Sequence, residues 1–531
     1  MNLIDGFLQS ALTSPDRPAL DVGSHTLSYA DVLGGAKKGA YAIQHLARNT
    51  HFCVGILSHR SKNAYLSILA TLLSGQTYMP LNPKFPASRL AKIIELSGCS
   101  CIMVGSECET ALRDILALVE KPLKVITLDF DYQPNDGEKD SGAEYITLTT
   151  LDSETTSDLA PITTKPMDLA YLLFTSGSTG SPKGVAVSQA NVHAYLQYLT
   201  RHFEFSKEDR FSQSFDLSFD LSVHDMFVCW SVGGCLCVLP ESAVMAPAKF
   251  IKDKAISVWF SVPSVAMFMS KFRTLKPNSL PNLRLSLFCG EAFSQHLAQA
   301  WQEAAPNSLL YNFYGPTETT IAITQYLWNS RSSPPICLNG VVPIGHIFPS
   351  HECAIVDDSL SAVDVGQSGQ LMLSGPQITP GYLNDPGRTR AAFVKLPGDS
   401  SDRIWYGTGD LAKIDSSGCL FYLGRKDDQI QILGYRAELQ EIDLALRIAS
   451  GSEMAVAVAW PIDGGQAQGV VGFVCGSQSD AADIISRCGK TLPQYMVPRE
   501  VYFIEALPLN SNGKVDRKAL QAKLQQSKLR E

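Results

Sequence analysis

The chain lacks the signals that mark several large classes of protein. It carries no block of lysine and arginine, and acidic residues outnumber basic ones by 52 to 44, for a formal charge of −8. A nucleic-acid backbone is gripped by clustered cations, so no nucleic-acid partner is expected. The opening "MNLIDGFLQSALTSPDRPAL" has no basic segment followed by an apolar one, so no secretory signal is expected. The longest apolar stretch, Met226 to Pro240, is broken by Gly233 and Gly234 and is too short to span a bilayer. No membrane partner is therefore expected, and the cytoplasm is the expected location. Thirteen cysteines are present, but the closest pairs, Cys99 with Cys101 and Cys235 with Cys237, have no histidine or further cysteine at zinc spacing. They read as buried, reduced thiols acting as small apolar side chains. A nucleotide-binding P-loop is missing too. The nearest approach, "LLFTSGSTGSPKGV" at 172–185, places Pro182 directly before Lys183, where the pattern G-x-x-x-x-G-K-[ST] has glycine.

What is present is an ordinary globular composition, 45% apolar and 18% charged, in a chain of 531 residues, long enough for several domains. Residues 1–150 alternate helical patterns with short apolar runs ("FCVGIL", "CIMVG", "KVITL"), which predicts βα units and a largely parallel sheet. The same texture returns from 168 to about 335. Residues 336–425 are richer in short strands and turns, and the last hundred residues read as helix, strand, strand, helix. The expected fold is α/β. It has a large N-terminal region of two βα-type sheet subdomains and a small β-barrel subdomain (1–426), then a small α+β C-terminal domain (427–531).

The run "AYLLF" predicts a buried strand that opens into "TSGSTGSPKG". Serine, threonine and glycine there offer hydroxyls and backbone N–H groups to an anion, and Lys183 adds a positive charge. A Ser/Gly-rich turn can also be no more than a turn. Other motifs decide between the two: "NFYGPTE" (312–318), "YGTGDLA" (406–412), "GRKDDQIQILGYR" (424–436) and "NSNGKVDRKAL" (510–520), with "LSYADVL", "LLSGQTYMPLNP" and "LPQYMVP" in weaker form. In this order they resemble the signature of the adenylate-forming enzymes, specifically the amino-acid adenylation domains of nonribosomal peptide synthesis. The resemblance runs from about residue 27 to 520.

The resemblance implies a carboxylic acid joined to ATP with release of pyrophosphate, then transfer to the phosphopantetheine thiol of a separate carrier protein. It implies that Thr175, Ser176, Gly177, Ser178, Thr179, Gly180 and Lys183 hold the departing phosphates. Glu318 would hold magnesium, Tyr314 would stack on adenine and Asn312 would bond its edge. Asp410 and Arg425 would meet the ribose. Gly290, Glu291, Phe313, Gly315 and Thr317 fall within the same nucleotide motifs. Lys514 would be the catalytic residue, bridging substrate carboxylate and α-phosphate, and Asp427 the hinge about which the small domain rotates.

The doubled "FDLSFDLS" offers two aspartates for the substrate's α-amino group. The pattern F-D-x-S-V-x-[DE]-x-F fits from Phe219, which selects Asp220 and leaves Asp216 behind it or in solvent. Register with the motifs then assigns Leu221, His224, Phe260, Leu287, Cys289, Phe313, Ile321 and Ala322 to the side-chain pocket. This lining has no acid or base for a charged side chain, and two phenylalanines shorten it. A small apolar amino acid is expected. Proline is favoured, because the pattern is similar to stand-alone prolyl-AMP ligases, with alanine and valine as alternatives. His224 reads equally well as a packed core histidine. The start at Met1 and the absence of a carrier motif after "GKVDRKAL" fit a free-standing ligase. An acyl- or aryl-CoA ligase has no use for a buried carboxylate, and a noncatalytic nucleotide-binding module would be expected to have lost Lys514, Glu318 or Asp410.

Overall fold

The computed structural model describes residues 2–47, 52–133, 143–150, 164–177, 181–244, 246–426, 429–463, 466–508 and 515–528. The chain divides into two compact units. One comprises Met1–Pro83, Ala91–Phe174 and Gly184–Lys426; the other comprises Lys84–Leu90, Thr175–Lys183 and Asp427–Glu531.

The first unit is built on two large sheets. A nine-stranded sheet runs parallel from Leu309–Tyr314 through Leu285–Phe288, Val258–Ser261, Arg210–Gln213 and Cys235–Val238 to Pro18–Val22. Antiparallel strands close its edges: His25–Ser28 on one side, Thr324–Leu327 and His346–Ile347 on the other. Strands such as Val258–Ser261 and Leu285–Phe288 are buried at every position. Parallel strands covered on both faces need such continuous apolar runs. The second sheet has seven strands, and the expected runs fall on Cys53–Leu57, Cys101–Val104 and Lys124–Thr127. The stretch from Met226 to Pro240 is not one apolar element. It divides at Gly233, with φ of 78°, between the helix Leu221–Ser231 and the strand Cys235–Val238. No helix among the described residues is long and apolar enough to cross a membrane.

The turn-rich stretch forms a five-stranded antiparallel sheet. Trp405–Ile414 is its longest strand and pairs with Ser368–Ser374, Phe393–Val394 and Leu420–Arg425. In the second unit the helix Leu439–Ser450, strands Ala455–Ala459 and Val470–Val474, and helix Ala481–Gly489 follow the expected order. Ser176 belongs to this unit, and its hydroxyl donates to the carbonyl of Arg436 at 3.0 Å.

All thirteen cysteines are free. Only Cys53, Cys337 and Cys353 are half-buried; the others are buried. Burial pushes the Cys353 thiol up to about 11 and raises that of Cys337 as well. Since the thiolate is the reactive form, native protein at pH 8 should react slowly with a thiol reagent. Reductant should leave the melting temperature unchanged. Rapid labelling of several thiols before unfolding would contradict this packing.

Candidate active site

The two aspartates of "FDLSFDLS" lie four residues apart and have different surroundings. Asp216 closes a local turn: Ser218 donates to it through its backbone N–H (2.9 Å) and hydroxyl (2.6 Å), and Asn82 Nδ2 donates at 2.8 Å. It is half-buried, and these donors engage both of its carboxylate oxygens. Asp220 directly precedes the helix Leu221–Ser231 but does not cap it. It is buried, with one oxygen accepting from the Ile321 N–H at 3.2 Å, and the Thr317 hydroxyl also bonds to it. Desolvation pushes its carboxyl up to about 7 against those two bonds, and the nearby Glu318 charge adds to the rise. Among the described residues no ion pair reaches Asp220.

The turn that carries Ile321 is strained. Thr320 and Ile321 have φ of 58° and 74°, a region that costs a β-branched residue about 1–3 kcal/mol. Gly315 is required where the chain passes this turn, since a Cβ there would lie 2.6 Å from Ala322 Cα and 3.0 Å from the Ile321 carbonyl. The turn is held by Gln377 and its neighbours, from a segment that reads in sequence only as part of a β subdomain.

The expected pocket residues come together. Leu221, Phe260, Leu287, Cys289, Phe313, Ile321 and Ala322 belong to one buried hydrophobic cluster. Phe260 and Leu287 are register partners on adjacent strands, and the rings of Phe260 and Phe313 lie 6.2 Å apart. Gly290, with φ of 90°, passes beside Leu221. His224 is fully buried and packs on the Phe260 ring at 4.6 Å, as a core histidine does. Its Nδ1 pairs with the Tyr195 hydroxyl at 2.7 Å, and its Nε2 has no hydrogen-bond partner among the described residues. Burial pushes its pKa down to about 3, so the ring is neutral at physiological pH. Tyr195, and the buried Tyr78 and Tyr171 whose hydroxyls have no partner among the described residues, were not legible as site residues. Each reads in sequence as an ordinary core aromatic.

The polar end of the site is also preassembled. Asp410 and Arg425 are register partners, and Arg425 donates to the Asp410 carboxylate at 2.8 Å. Tyr314 donates its hydroxyl to the same carboxylate, and burial raises the Tyr314 pKa. Asn312 Nδ2 donates to the carbonyls of Pro343 (2.9 Å) and Val342 (3.5 Å), so an adenine contact from Asn312 falls to Oδ1 as acceptor. Two residues grouped with the nucleotide motifs have partners within the protein. Thr317 bonds to Asp220, and Glu291 accepts from the Ser264 N–H at 2.8 Å, at the start of the helix Pro263–Lys271. An exposed helix start leaves N–H groups without partners, which a carboxylate satisfies.

Glu318 is fully buried. Its Oε1 accepts from the Tyr382 hydroxyl at 2.8 Å, and its carbonyl accepts from the Thr379 N–H at 3.0 Å. Among the described residues no group of three or more His, Cys, Asp or Glu could enclose a metal unaided. A single carboxylate of this kind fits a hard divalent cation whose coordination is completed by phosphate oxygens and water. Tyr382 lies in "GPQITPGY", and only its polar side chain in a Gly/Pro-rich segment hinted at a role. In the Ser/Gly-rich loop the hydroxyl of Thr175 is buried with no partner among the described residues, and Lys183 is buried at the start of the strand Lys183–Ser188. Gly177 donates its N–H to Glu441 within the second unit. Ser178, Thr179, Gly180, Asp427 and Lys514 lie outside the described residues.

Two α/β sheets, a buried aspartate and a preassembled set of polar side chains define a ligase site, and comparison with known proteins names its class. The AMP-binding enzyme family matches residues 7–383, and the AMP-binding enzyme C-terminal domain matches residues 450–514. The chain belongs to the AMP-binding enzyme family and is an enzyme of the acid–thiol ligase type. It is 28% identical to the D-alanine–D-alanyl carrier protein ligase of Bacillus velezensis, over 98% of this chain and 99% of that one. It is 30% identical to tyrocidine synthase 2 of Brevibacillus parabrevis over 97% of this chain, which spans 13% of that protein. Its structure is similar to the Vibrio cholerae adenylation domain AlmE, solved with glycyl-adenosine-5′-phosphate. The TM-score is 0.88 at 34% identity, covering 99% of this chain and 98% of that one.

Ionising Asp220 works against folding. Its folded pKa, about 7, is above the ordinary 3.8, so the penalty is absent below 3.8 and complete above about 7. Asp220→Asn, which keeps an acceptor for Ile321, should melt no lower than the wild type at pH 8 and lose the advantage near pH 4. A lower melting temperature at pH 8 would mean that the charge is already compensated in the ligand-free protein.

Proposed function

We propose that the protein activates a small amino acid as its aminoacyl-adenylate and passes the aminoacyl group to the phosphopantetheine thiol of a carrier protein. The observation that carries this reading is Asp220, a buried carboxylate whose partners among the described residues include no cation. A substrate ammonium supplies the missing charge. Desolvated charges are tolerated where they are paired, so the site selects acids that bear an α-amino group. An acyl- or aryl-CoA ligase would gain nothing from this carboxylate.

In the first step a substrate carboxylate oxygen attacks the α-phosphorus of ATP, the new P–O bond forms, and the bond to the β-phosphate breaks to release pyrophosphate. The loop from Thr175 to Lys183 holds the departing phosphates, Asp410 and Arg425 position the ribose, and the Tyr314 ring lies against adenine. Glu318 is the carboxylate that would hold a magnesium ion, whose charge would offset that of the phosphates. Lys514 stabilises the charge that builds between carboxylate and phosphate. In the second step the thiol sulfur attacks the acyl carbonyl and AMP leaves. A free-standing relative that acts on a carrier protein supports that acceptor.

For the side chain, the rings of His224, Phe260 and Phe313 leave an apolar, short pocket. Alanine and proline are the two candidates to separate first. Alanine draws support from the D-alanine specificity of the carrier-protein ligase relative and the glycyl-adenylate in the AlmE structure. Proline rests on the likeness to the prolyl-AMP ligase of anatoxin biosynthesis.

ATP–pyrophosphate exchange over a panel of amino acids and their des-amino counterparts tests the reading. Exchange should depend on the α-amino group and favour a small apolar side chain; exchange with des-amino acids alone would refute it. The amino-acid KM should rise as pH falls through about 7, because protonated Asp220 no longer pairs with ammonium, while the ATP KM stays level over that window. A flat amino-acid profile would remove Asp220 from recognition. Lys514→Ala should slow adenylation by about 10²–10³-fold, and undiminished exchange would sink its role.

A further inference from the structure

The turn that brings Ile321 to Asp220 does not hold itself. Thr320 and Ile321 are consecutive β-branched residues in the left-handed region, and a relaxed backbone would swing the Ile321 N–H away from the carboxylate. The side chain of Gln377 is fully buried against this turn. Its Nε2 donates to the carbonyls of Ala322 (2.8 Å), Thr320 (3.0 Å) and Thr319 (3.2 Å). The Thr320 hydroxyl donates back to the Gln377 carbonyl at 2.6 Å.

Gln377 is itself anchored. Asn191 Nδ2 donates to the carbonyls on either side of it, those of Pro376 and Ile378, both at 2.9 Å. Asn191 in turn forms a capping box with Ser188 at the start of the helix Gln189–His202. A rigid helix start therefore grips the Gln377 segment, and Gln377 grips the strained turn. The side chain of Glu318 is held by Tyr382, and its carbonyl accepts from the Thr379 N–H in the same segment as Gln377.

We propose that Gln377 is a positioning residue for recognition of the substrate amino group. By holding Thr320 and Ile321 left-handed, it keeps the Ile321 N–H on Asp220 and fixes the orientation in which that carboxylate meets the ammonium. The proposal rests on the amino-acid reading above. Gln377 touches neither substrate nor nucleotide; it acts through the turn.

The test is ATP–pyrophosphate exchange with Gln377→Leu, a side chain of similar size that leaves the three carbonyls without their donor. The amino-acid KM should rise about tenfold, the loss expected when a hydrogen bond to a charged group is misplaced, with the ATP KM within about twofold. Preference for the amino acid over its des-amino counterpart should fall by a similar factor. The Ile321 amide should exchange its hydrogen faster, relative to amides of the central strands. Should the leucine variant fail to fold, the same measurements on Gln377→Met apply. A parallel rise in both KM values, or unchanged preference for the amino group, would overturn the proposal. A wild type with no preference for the amino group would overturn the amino-acid reading, and this proposal with it, before any variant is made.

Discussion

A carboxylate held away from water without a cation is the constraint on which the rest of the site depends. Burying Asp220 pushes its ionisation up to about 7, and the Thr317 hydroxyl and the N–H groups of Ile321 and Leu221 offset part of that cost. The Ile321 donor requires a backbone turn that isoleucine and threonine do not adopt unaided, and the turn requires Gln377 and a glycine at 315. Residues far apart in sequence thus serve one charge. The arrangement is costly in the empty protein and useful only when an ammonium arrives, which suits a site that must choose among carboxylic acids.

The polar end follows a different logic. There the Asp410 carboxylate is already paired with Arg425 and accepts from Tyr314, and Glu318 accepts a hydrogen bond from Tyr382. Such pairs keep buried ionic groups satisfied before the ligand binds and give the ribose and phosphates a fixed frame to meet. Asp220 is thus a buried carboxylate with no cation among its described partners, whereas Asp410 already has one in Arg425.

Much of this was legible in the sequence where local pattern determines structure. Apolar runs such as "CIMVG" became buried parallel strands because nothing else satisfies their backbone while covering both faces. The ordered motifs singled out Asp220, Asp410 and Glu318, and all three are buried. What stayed hidden depends on partners distant in sequence. Gln377 is a polar residue in a Gly/Pro-rich stretch, and its three carbonyl partners lie more than fifty positions away. Tyr195 meets His224 from another helix, 29 positions away, and no periodicity announces that meeting. Thr317 and Glu291 sit inside nucleotide motifs, and the motifs do not announce their contacts with a carboxylate and a helix start.

The Tyr195–His224 pair bears on how such an enzyme changes its diet over generations. His224 is a proposed pocket residue, and its ring nitrogen is the hydrogen-bond partner of a hydroxyl buried on a neighbouring helix. Replacing the histidine with an apolar residue would strand that hydroxyl, a penalty of about 1–3 kcal/mol before any new substrate is gained. Tyrosine to phenylalanine at 195 has to accompany the change or precede it. Lineages that reach a new substrate through position 224 should therefore carry a matching mark at 195, and the order of the two substitutions is constrained by packing alone.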